Sequence, residues 1–124
     1  GKRLQSVFSR YIYNLSVAPD KFKIKQLVKP LALSILWQDD GTVCWDKEGY
    51  YSTAYLCTDS WSFEFLNKFN RQFNSEYGWC PVIMEYKCRG VIYPRLRYRK
   101  AEMLKLSNII KSYIVPSMKH KIIS

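Results

Sequence analysis

The order of helix-like and strand-like segments predicts an α+β domain, with an antiparallel sheet covered by helices on one face. From Pro30 onward the chain reads as a helix, two strands, a helix, two strands and a last helix. Each pair of strands flanks a short turn, at Asp46–Gly49 and at Arg89–Gly90, which favours hairpins. With 124 residues, 48% of them hydrophobic, the chain can form one domain with its own core.

The N-terminal segment is predicted to be separate from this unit. Apolar residues recur at helical spacing over residues 2–15, which indicates an amphipathic helix. Pro19 favours a turn, so residues 16–25 read as a connection. We therefore expect residues 1–25 to precede the main unit, which comprises residues 26–124.

The next helix is predicted over Pro30–Asp40. Proline suits the first turn of a helix, and Gly41 is a helix stop. Most of the circumference is apolar, which is typical of a buried helix. Its apolar residues are Leu31, Ala32, Leu33, Ile35, Leu36 and Trp37. A small domain rarely buries both sides of one helix, so we expect a second, matching surface.

The remaining elements follow from local signals. Residues 42–58 read as the first hairpin, and Ser62 as the N-cap of a helix that ends at Gly78. Residues 80–99 read as the second hairpin, in which a proline belongs at an edge or a bulge. A last helix is predicted over residues 100–113.

The charge of the chain favours a polyanionic partner. Its net charge is +10, and by strand alternation Arg95, Arg97 and Arg99 share one side of the last strand. Lys87 is expected to join them across the hairpin. Arginine suits phosphates and guanine edges, and a two-stranded ribbon fits the major groove of DNA. The alternative is an ordinary solvated strand face.

Several classes of site and location are not favoured. The four cysteines form no C-x-x-C pair and the chain has one histidine, so we expect no zinc site. Reduced cysteines are typical of an intracellular protein. No apolar run approaches the roughly 20 residues that a membrane span requires, and we expect no membrane partner.

Two adjacent carboxylates end the apolar helix. Asp39 and Asp40 oppose the helix dipole, which favours cations at this end. Carboxylates without Cys or His neighbours favour Mg²⁺, and on a basic protein they suggest metal-assisted phosphodiester hydrolysis. The alternative is that they only terminate the helix.

Three segments resemble the LAGLIDADG homing endonucleases. "LSILWQDDG" (residues 33–41) resembles the motif variant L-A-x-W-F-M-D-D-G. "CTDSWSFEFLNKF" (57–69) resembles the segment T-x-S-F-T-x-E-E-x-x-x-L that opens the second helix of the family. "IKSYIVPSMKHKI" (110–122) resembles the ending I-x-P-Y-I-I-P-S-M-x-Y-K-I. Together they span nearly one αββαββα repeat.

The resemblance implies a DNA-cleaving site. The acid before the glycine, Asp40, would bind Mg²⁺ or another divalent cation, with Asp39 of lower rank. The P-S-M-x-x-K ending places Lys121 near the scissile phosphate, whereas Lys119 is out of register. A four-stranded saddle would bind double-stranded DNA through the basic strand residues, here Lys87, Arg95, Arg97 and Arg99.

The resemblance also implies a second half, against whose motif helix this helix would pack. Leu33, Ser34 and Trp37 are the expected contact residues, although Ile35 and Trp37 are bulky where the family has small residues. The chain looks like the C-terminal half of a two-motif member. Its partner would be a separate or upstream half, or an identical chain in a homodimer.

The implied function is a sequence-specific, homing-type DNA endonuclease. The alternative is a LAGLIDADG protein that does not cleave and acts as a DNA-binding regulator or an intron RNA-splicing maturase. An intron-encoded origin would place the protein in a mitochondrion, in a chloroplast or in the cytoplasm of a bacterium or phage-infected cell.

Overall fold

The structure is a computed structural model that describes residues 21–58 and 61–124. Its helices are α1 (Lys21–Leu27), α2 (Pro30–Asp40), α3 (Phe63–Tyr77) and α4 (Lys100–Ile110), followed by 3₁₀-helices at Lys111–Tyr113 and Pro116–Lys121. The strands are β1 (Gly41–Trp45), β2 (Tyr51–Leu56), β3 (Val82–Cys88) and β4 (Val91–Tyr98). From α2 onward this order confirms the predicted α+β architecture. No helix in the described ranges is long and apolar enough to cross a membrane.

The segment before α2 differs from the prediction. The expected helix over residues 2–15 lies outside the described residues. Residues 21–27 form helix α1, so the prediction of a connection there is wrong. Ile24 and Leu27 lie on one helical face and are buried, which gives this short helix a place in the core. The Tyr77 hydroxyl donates to the Val28 carbonyl at 2.7 Å and holds the segment against α3.

The four strands form one antiparallel sheet in the order β1-β2-β4-β3. Alternate residues of the two inner strands are buried beneath the helices: Ala54, Leu56, Leu96 and Tyr98. Their neighbours on the other side of the sheet are only partly buried. Among the described residues, one face of the sheet is therefore covered by helices and the other is open, which we call the open face.

Pro94 lies in an inner strand, where its missing N–H should cost a ladder hydrogen bond. Strand β2 ends at Leu56, however, and its pairing with β4 reaches only Leu96. Beyond that point the Thr58 hydroxyl donates to the Pro94 carbonyl at 2.9 Å. Since the nitrogen and carbonyl of one strand residue point the same way, the nitrogen of Pro94 faces a gap in the ladder. Pro94 therefore lies in an inner strand, but at a position where the neighbouring strand β2 has already ended.

Helix α3 contributes three aromatic side chains to the core, Phe65, Phe69 and Phe73. The Ser62 Oγ accepts from the Phe65 N–H at 3.0 Å, which confirms the predicted N-cap. Gly78 closes the helix at φ 78°, a left-handed conformation that glycine adopts most readily. Trp61 packs edge-on against Phe65, with ring centroids 4.8 Å apart. These features define both ends of α3.

Candidate metal site and nucleic-acid interface

The end of α2 is built around a close contact between Trp37 and Gly41. A Cβ atom at Gly41 would overlap the indole ring and come within 2.5 Å of the Trp37 carbonyl oxygen. The indole lies edge-on to Tyr98, with centroids 5.2 Å apart, and its Nε1 donates to the Lys121 carbonyl at 2.6 Å. The φ of Gly41, −81°, suits any residue, so its backbone conformation does not require glycine. The lack of space for a Cβ atom does.

The expected contact residues for a second half require a correction. Leu33, Ser34 and Trp37 are 3%, 0% and 1% exposed, because they face the core of this same chain. The side of α2 that remains accessible carries Leu31, which is 55% exposed, and the partly buried Ala32, Ile35 and Asp39. The bulk of Trp37 consequently does not hinder a partner.

Gln38 ties α2 to the segment after α4. Its amide Nε2 donates to the Ser34 Oγ at 2.9 Å and to the Tyr113 carbonyl at 3.3 Å. Its Oε1 accepts from the Val115 N–H at 3.1 Å. The side chain is buried, so these bonds satisfy polar atoms that would otherwise be costly. The sequence alone predicts no role for Gln38, because its partners in the segment after α4, Tyr113 and Val115, lie 75 and 77 residues away.

Lys121 lies at the C-terminus of α2. Its ammonium donates to the Gln38 carbonyl at 2.5 Å, which places a cation where the helix dipole favours one. Its charge acts on Asp39, whose pKa is raised by burial and partly lowered again by Lys121. The structure therefore brings together Lys121 and the end of the helix that carries the acid pair.

The two acids at this end differ in their surroundings. The backbone carbonyl of Asp40 accepts from the Cys57 N–H at 3.0 Å, which joins the end of α2 to the end of β2. The Oδ2 of Asp39 is buried and has no hydrogen-bond partner among the described residues. A buried carboxylate oxygen in that state is an acceptor that a cation would satisfy.

The two acids would supply only part of the ligand shell of a magnesium ion. No group of three or more His, Cys, Asp or Glu in the described ranges could hold a metal ion. Asp39 and Asp40 are adjacent, and Mg²⁺ commonly takes one or two carboxylates while water and phosphate oxygens complete its shell. The remaining ligands would have to come from those sources or from a second half.

The register of the sheet places Arg95 and Arg97 on the open face. Arg97 is flanked by Tyr55 on β2 and by Val82 on β3. Its Nε is buried without a hydrogen-bond partner among the described residues. The Arg95 guanidinium lies 3.6 Å from the centre of the Tyr86 ring. A cation–π contact of this kind orients the guanidinium.

Lys87 does not share this face. It pairs with Ile92, and the strand alternation turns its side chain away from that of Arg95. The expectation that it joins the arginines is wrong, because the two-residue turn at Arg89–Gly90 sets Val91 opposite Cys88. Odd-numbered β4 residues thus share a face with even-numbered β3 residues.

Arg99 is partly engaged within the chain. It precedes α4, and the Glu102 carboxylate accepts from its backbone N–H at 2.9 Å and from its Nε at 3.2 Å. The arginine side chain is still 69% exposed. It lines a shallow depression of about 550 Å³ together with Tyr51, Tyr55, Arg97 and Lys100.

Replacing Glu102 with glutamine should make the free energy of unfolding less dependent on pH in the acidic range. Burial would raise the pKa of Glu102, but the hydrogen bonds and charge of Arg99 hold it below its usual value of 4.5. Because the folded pKa is depressed, the stabilisation is present above pH 4.5 and is lost as pH falls through the folded pKa. We expect a loss of about 1–2 kcal/mol at neutral pH and a much smaller difference near pH 3.

Urea unfolding at the two pH values measures this difference. Glu64→Gln is the control, since its carboxylate is 80% exposed and its pair with Lys68 should contribute under about 0.5 kcal/mol. An equal loss for Glu102→Gln at both pH values would contradict the ionic account.

The open face contains further residues that sequence reasoning did not assign. Its strand positions carry hydroxyl and aromatic side chains, and none of those described is acidic: they include Thr42, Thr53, Tyr55, Tyr86 and Tyr93. Strand alternation alone could have found them once the strand pairing was known. The face therefore combines arginines with groups that can donate to phosphates or contact bases.

Comparison with protein-family models and with curated proteins gives no match. Among solved structures, the chain is similar to the homing endonuclease I-WcaI, which was solved bound to its DNA recognition sequence. The TM-score is 0.62 at 19% sequence identity, and the match covers 80% of this chain and 44% of that chain. The chain spans less than half the length of this neighbour. The likeness establishes the fold: this chain folds as part of a homing endonuclease does.

Proposed function

We propose that this chain is one half of a metal-dependent, homing-type DNA endonuclease of the LAGLIDADG kind. The observation that carries the proposal is the position of the acid pair. Asp39 and Asp40 end α2 at the point where Gly41 begins β1, so the acids lie next to the sheet that carries Arg95 and Arg97. The similarity to a homing endonuclease fold supports the same assignment.

The open face has the chemistry of a DNA-binding surface. Its arginines can contact phosphates or guanine edges, and the absence of acids among its described strand residues avoids repulsion of the backbone. Double-stranded DNA is the partner whose phosphates match the positive charge and whose width matches the breadth of this four-stranded sheet. Arg95, Arg97 and Arg99 are the residues that we expect to bind it.

The chemistry at the acid pair would be phosphodiester hydrolysis. Asp40, with Asp39 beside it, would hold Mg²⁺ or another divalent cation, which when bound lowers the pKa of water and stabilises charge on phosphate oxygens. Lys121 adds a positive charge at the same helix end, fixed by its bond to the Gln38 carbonyl. Gln38 and Trp37 position the tail that carries this lysine.

A second half would cover the accessible side of α2. Leu31 is 55% exposed, and Tyr113 and Val115, whose backbones bond to Ser34 and Gln38, are 47% and 50% exposed. This apolar strip along α2 and the segment after α4 is the surface on which we place either an identical chain or a different half. The second acid pair and the remaining metal ligands would then come from that partner.

Duplex DNA binding should depend on salt and on Arg97. With fluorescently labelled duplexes, the plot of log Kd against log salt is expected to have a clear slope, because each phosphate contact releases counterions. Arg97→Ala should weaken binding about tenfold. It should also reduce the magnitude of the slope by about 1, the value expected for the loss of one phosphate contact. Fluorescence anisotropy across a salt series measures both quantities.

Lys87→Ala is the matched control, because it removes one charge from the opposite side of the sheet. We expect its affinity and slope to stay close to those of the unmodified chain. Equal losses in the two variants, or binding that does not respond to salt, would argue against the open face as the DNA surface.

A further inference from the structure

A second concave surface lies beside the β1–β2 hairpin. It is a cleft of about 800 Å³ between that hairpin and the C-terminal segment. Trp45 and Tyr50 form the hairpin side, and Ile122 and Ile123 form part of the opposite wall. The proposed endonuclease chemistry uses none of these residues.

The aromatic side chains of the cleft are exposed and held in place. Trp45 is 52% exposed and Tyr50 is 71% exposed, whereas Trp37 and Trp61 are buried. The ring of Tyr51 lies at 89° to that of Trp45 with centroids 6.2 Å apart, so it supports the indole by its edge. The Asp46 carboxylate accepts from the Tyr50 N–H at 2.9 Å and fixes the hairpin turn.

The charge of the cleft is positive. Lys100, Lys111 and Lys119 line it, and no Asp or Glu is among its described lining residues. The Asp46 carboxylate in the adjoining turn accepts from the backbone N–H groups of Glu48 and Tyr50. Exposed aromatic rings beside lysines are the combination that binds unpaired nucleotides, with bases stacked on the rings and phosphates near the charges.

We propose that this cleft binds an unpaired stretch of a nucleic-acid strand. A duplex hides the faces of its bases, so Trp45 and Tyr50 could stack only on bases that are not paired. The cleft is also continuous with the open face, because Tyr51 and Lys100 line both it and the depression beside Arg97. One strand could therefore leave the open face and enter the cleft. This proposal goes beyond the endonuclease function and does not require cleavage.

Binding of a labelled oligothymidylate of about six nucleotides tests the proposal by fluorescence anisotropy. Trp45→Ala and Tyr50→Ala are each expected to weaken binding about 5- to 100-fold, the scale of one lost stacking contact. Phe63→Ala is the matched control, since that exposed aromatic residue, in the first turn of α3, does not line the cleft. Both cleft residues are exposed, and circular dichroism verifies that the variants fold. Equal binding by the cleft variants and the control would overturn the proposal.

Tryptophan fluorescence gives an independent readout. The oligonucleotide should quench the emission of the unmodified chain, and Trp45→Phe should remove most of that quenching. Quenching that persists in Trp45→Phe would overturn the stacking role of Trp45. An oligouridylate of the same length shows whether RNA or DNA binds more tightly, and binding of either supports the cleft. Arg97→Ala acts on the open face, so the duplex experiment and this one can fail separately.

Discussion

Gly41→Ala is expected to destabilise the fold by about 3 kcal/mol or more, a large effect for adding one methyl group. The added Cβ would overlap the Trp37 indole and lie 2.5 Å from its carbonyl oxygen. The indole cannot move aside easily, because it packs on Tyr98 and donates to Lys121. Chemical denaturation measures the change in the free energy of unfolding.

Thr42→Ala is the control for this substitution. The neighbouring residue is exposed, so its replacement should change stability by no more than about 0.5 kcal/mol. Combining Gly41→Ala with Trp37→Leu should cost less than the sum of the two single changes, because the smaller side chain removes the overlap with the ring. Two outcomes would show that the contact with Trp37 does not require glycine at position 41. One is a double variant whose loss equals the sum of the two single losses, and the other is a Gly41→Ala variant as stable as Thr42→Ala.

Asp40→Asn is expected to reduce metal-dependent DNA nicking by about 100-fold or more, the scale on which active sites lose rate when one charge-stabilising group is removed. The substitution keeps the size of the side chain and removes the charge that would hold Mg²⁺. Binding of duplex DNA should change little, since the arginines of the open face are untouched. Nicking of a supercoiled DNA library in Mg²⁺ measures the first effect, and anisotropy measures the second.

Asp39→Asn is the matched control, since it removes the same charge from the adjacent position. We expect a smaller loss of nicking, on the order of tenfold, because Asp39 would assist the site from beside it. The reverse order would assign the main metal role to Asp39, in agreement with its unpartnered buried oxygen. Equal nicking by both variants and the unmodified chain would remove the acid pair from the mechanism.

The elements that local chemistry determines were predictable from the sequence. Pro30 and Gly41 delimit α2, Ser62 and Gly78 delimit α3, and the structure places both helices there. Turn residues likewise positioned the hairpins. These signals act over a few residues, so they can be read without knowledge of the tertiary structure.

The orientation of side chains was harder to predict, because it depends on distant partners. Lys87 lies on the face opposite to the predicted one, since strand register depends on how the turn is closed. Leu33 and Trp37 face the core and not the predicted interface, because α2 is apolar around most of its circumference and its sequence gives no preferred face. The bonds of Gln38 to the C-terminal segment join residues more than 70 positions apart, and no local pattern encodes them.

Cleavage of duplex DNA by the unmodified chain tests the central claim most directly. The protein is incubated with a supercoiled DNA library in Mg²⁺ and, in parallel, in excess chelator. The proposed function predicts nicked or linear product in Mg²⁺ and none with the chelator, from this chain by itself where an identical chain completes the site, and otherwise once a second half is added. Salt-sensitive duplex binding without any product in Mg²⁺ or Mn²⁺, with a second half present as well as absent, would contradict it and favour a DNA-binding regulator or an RNA maturase.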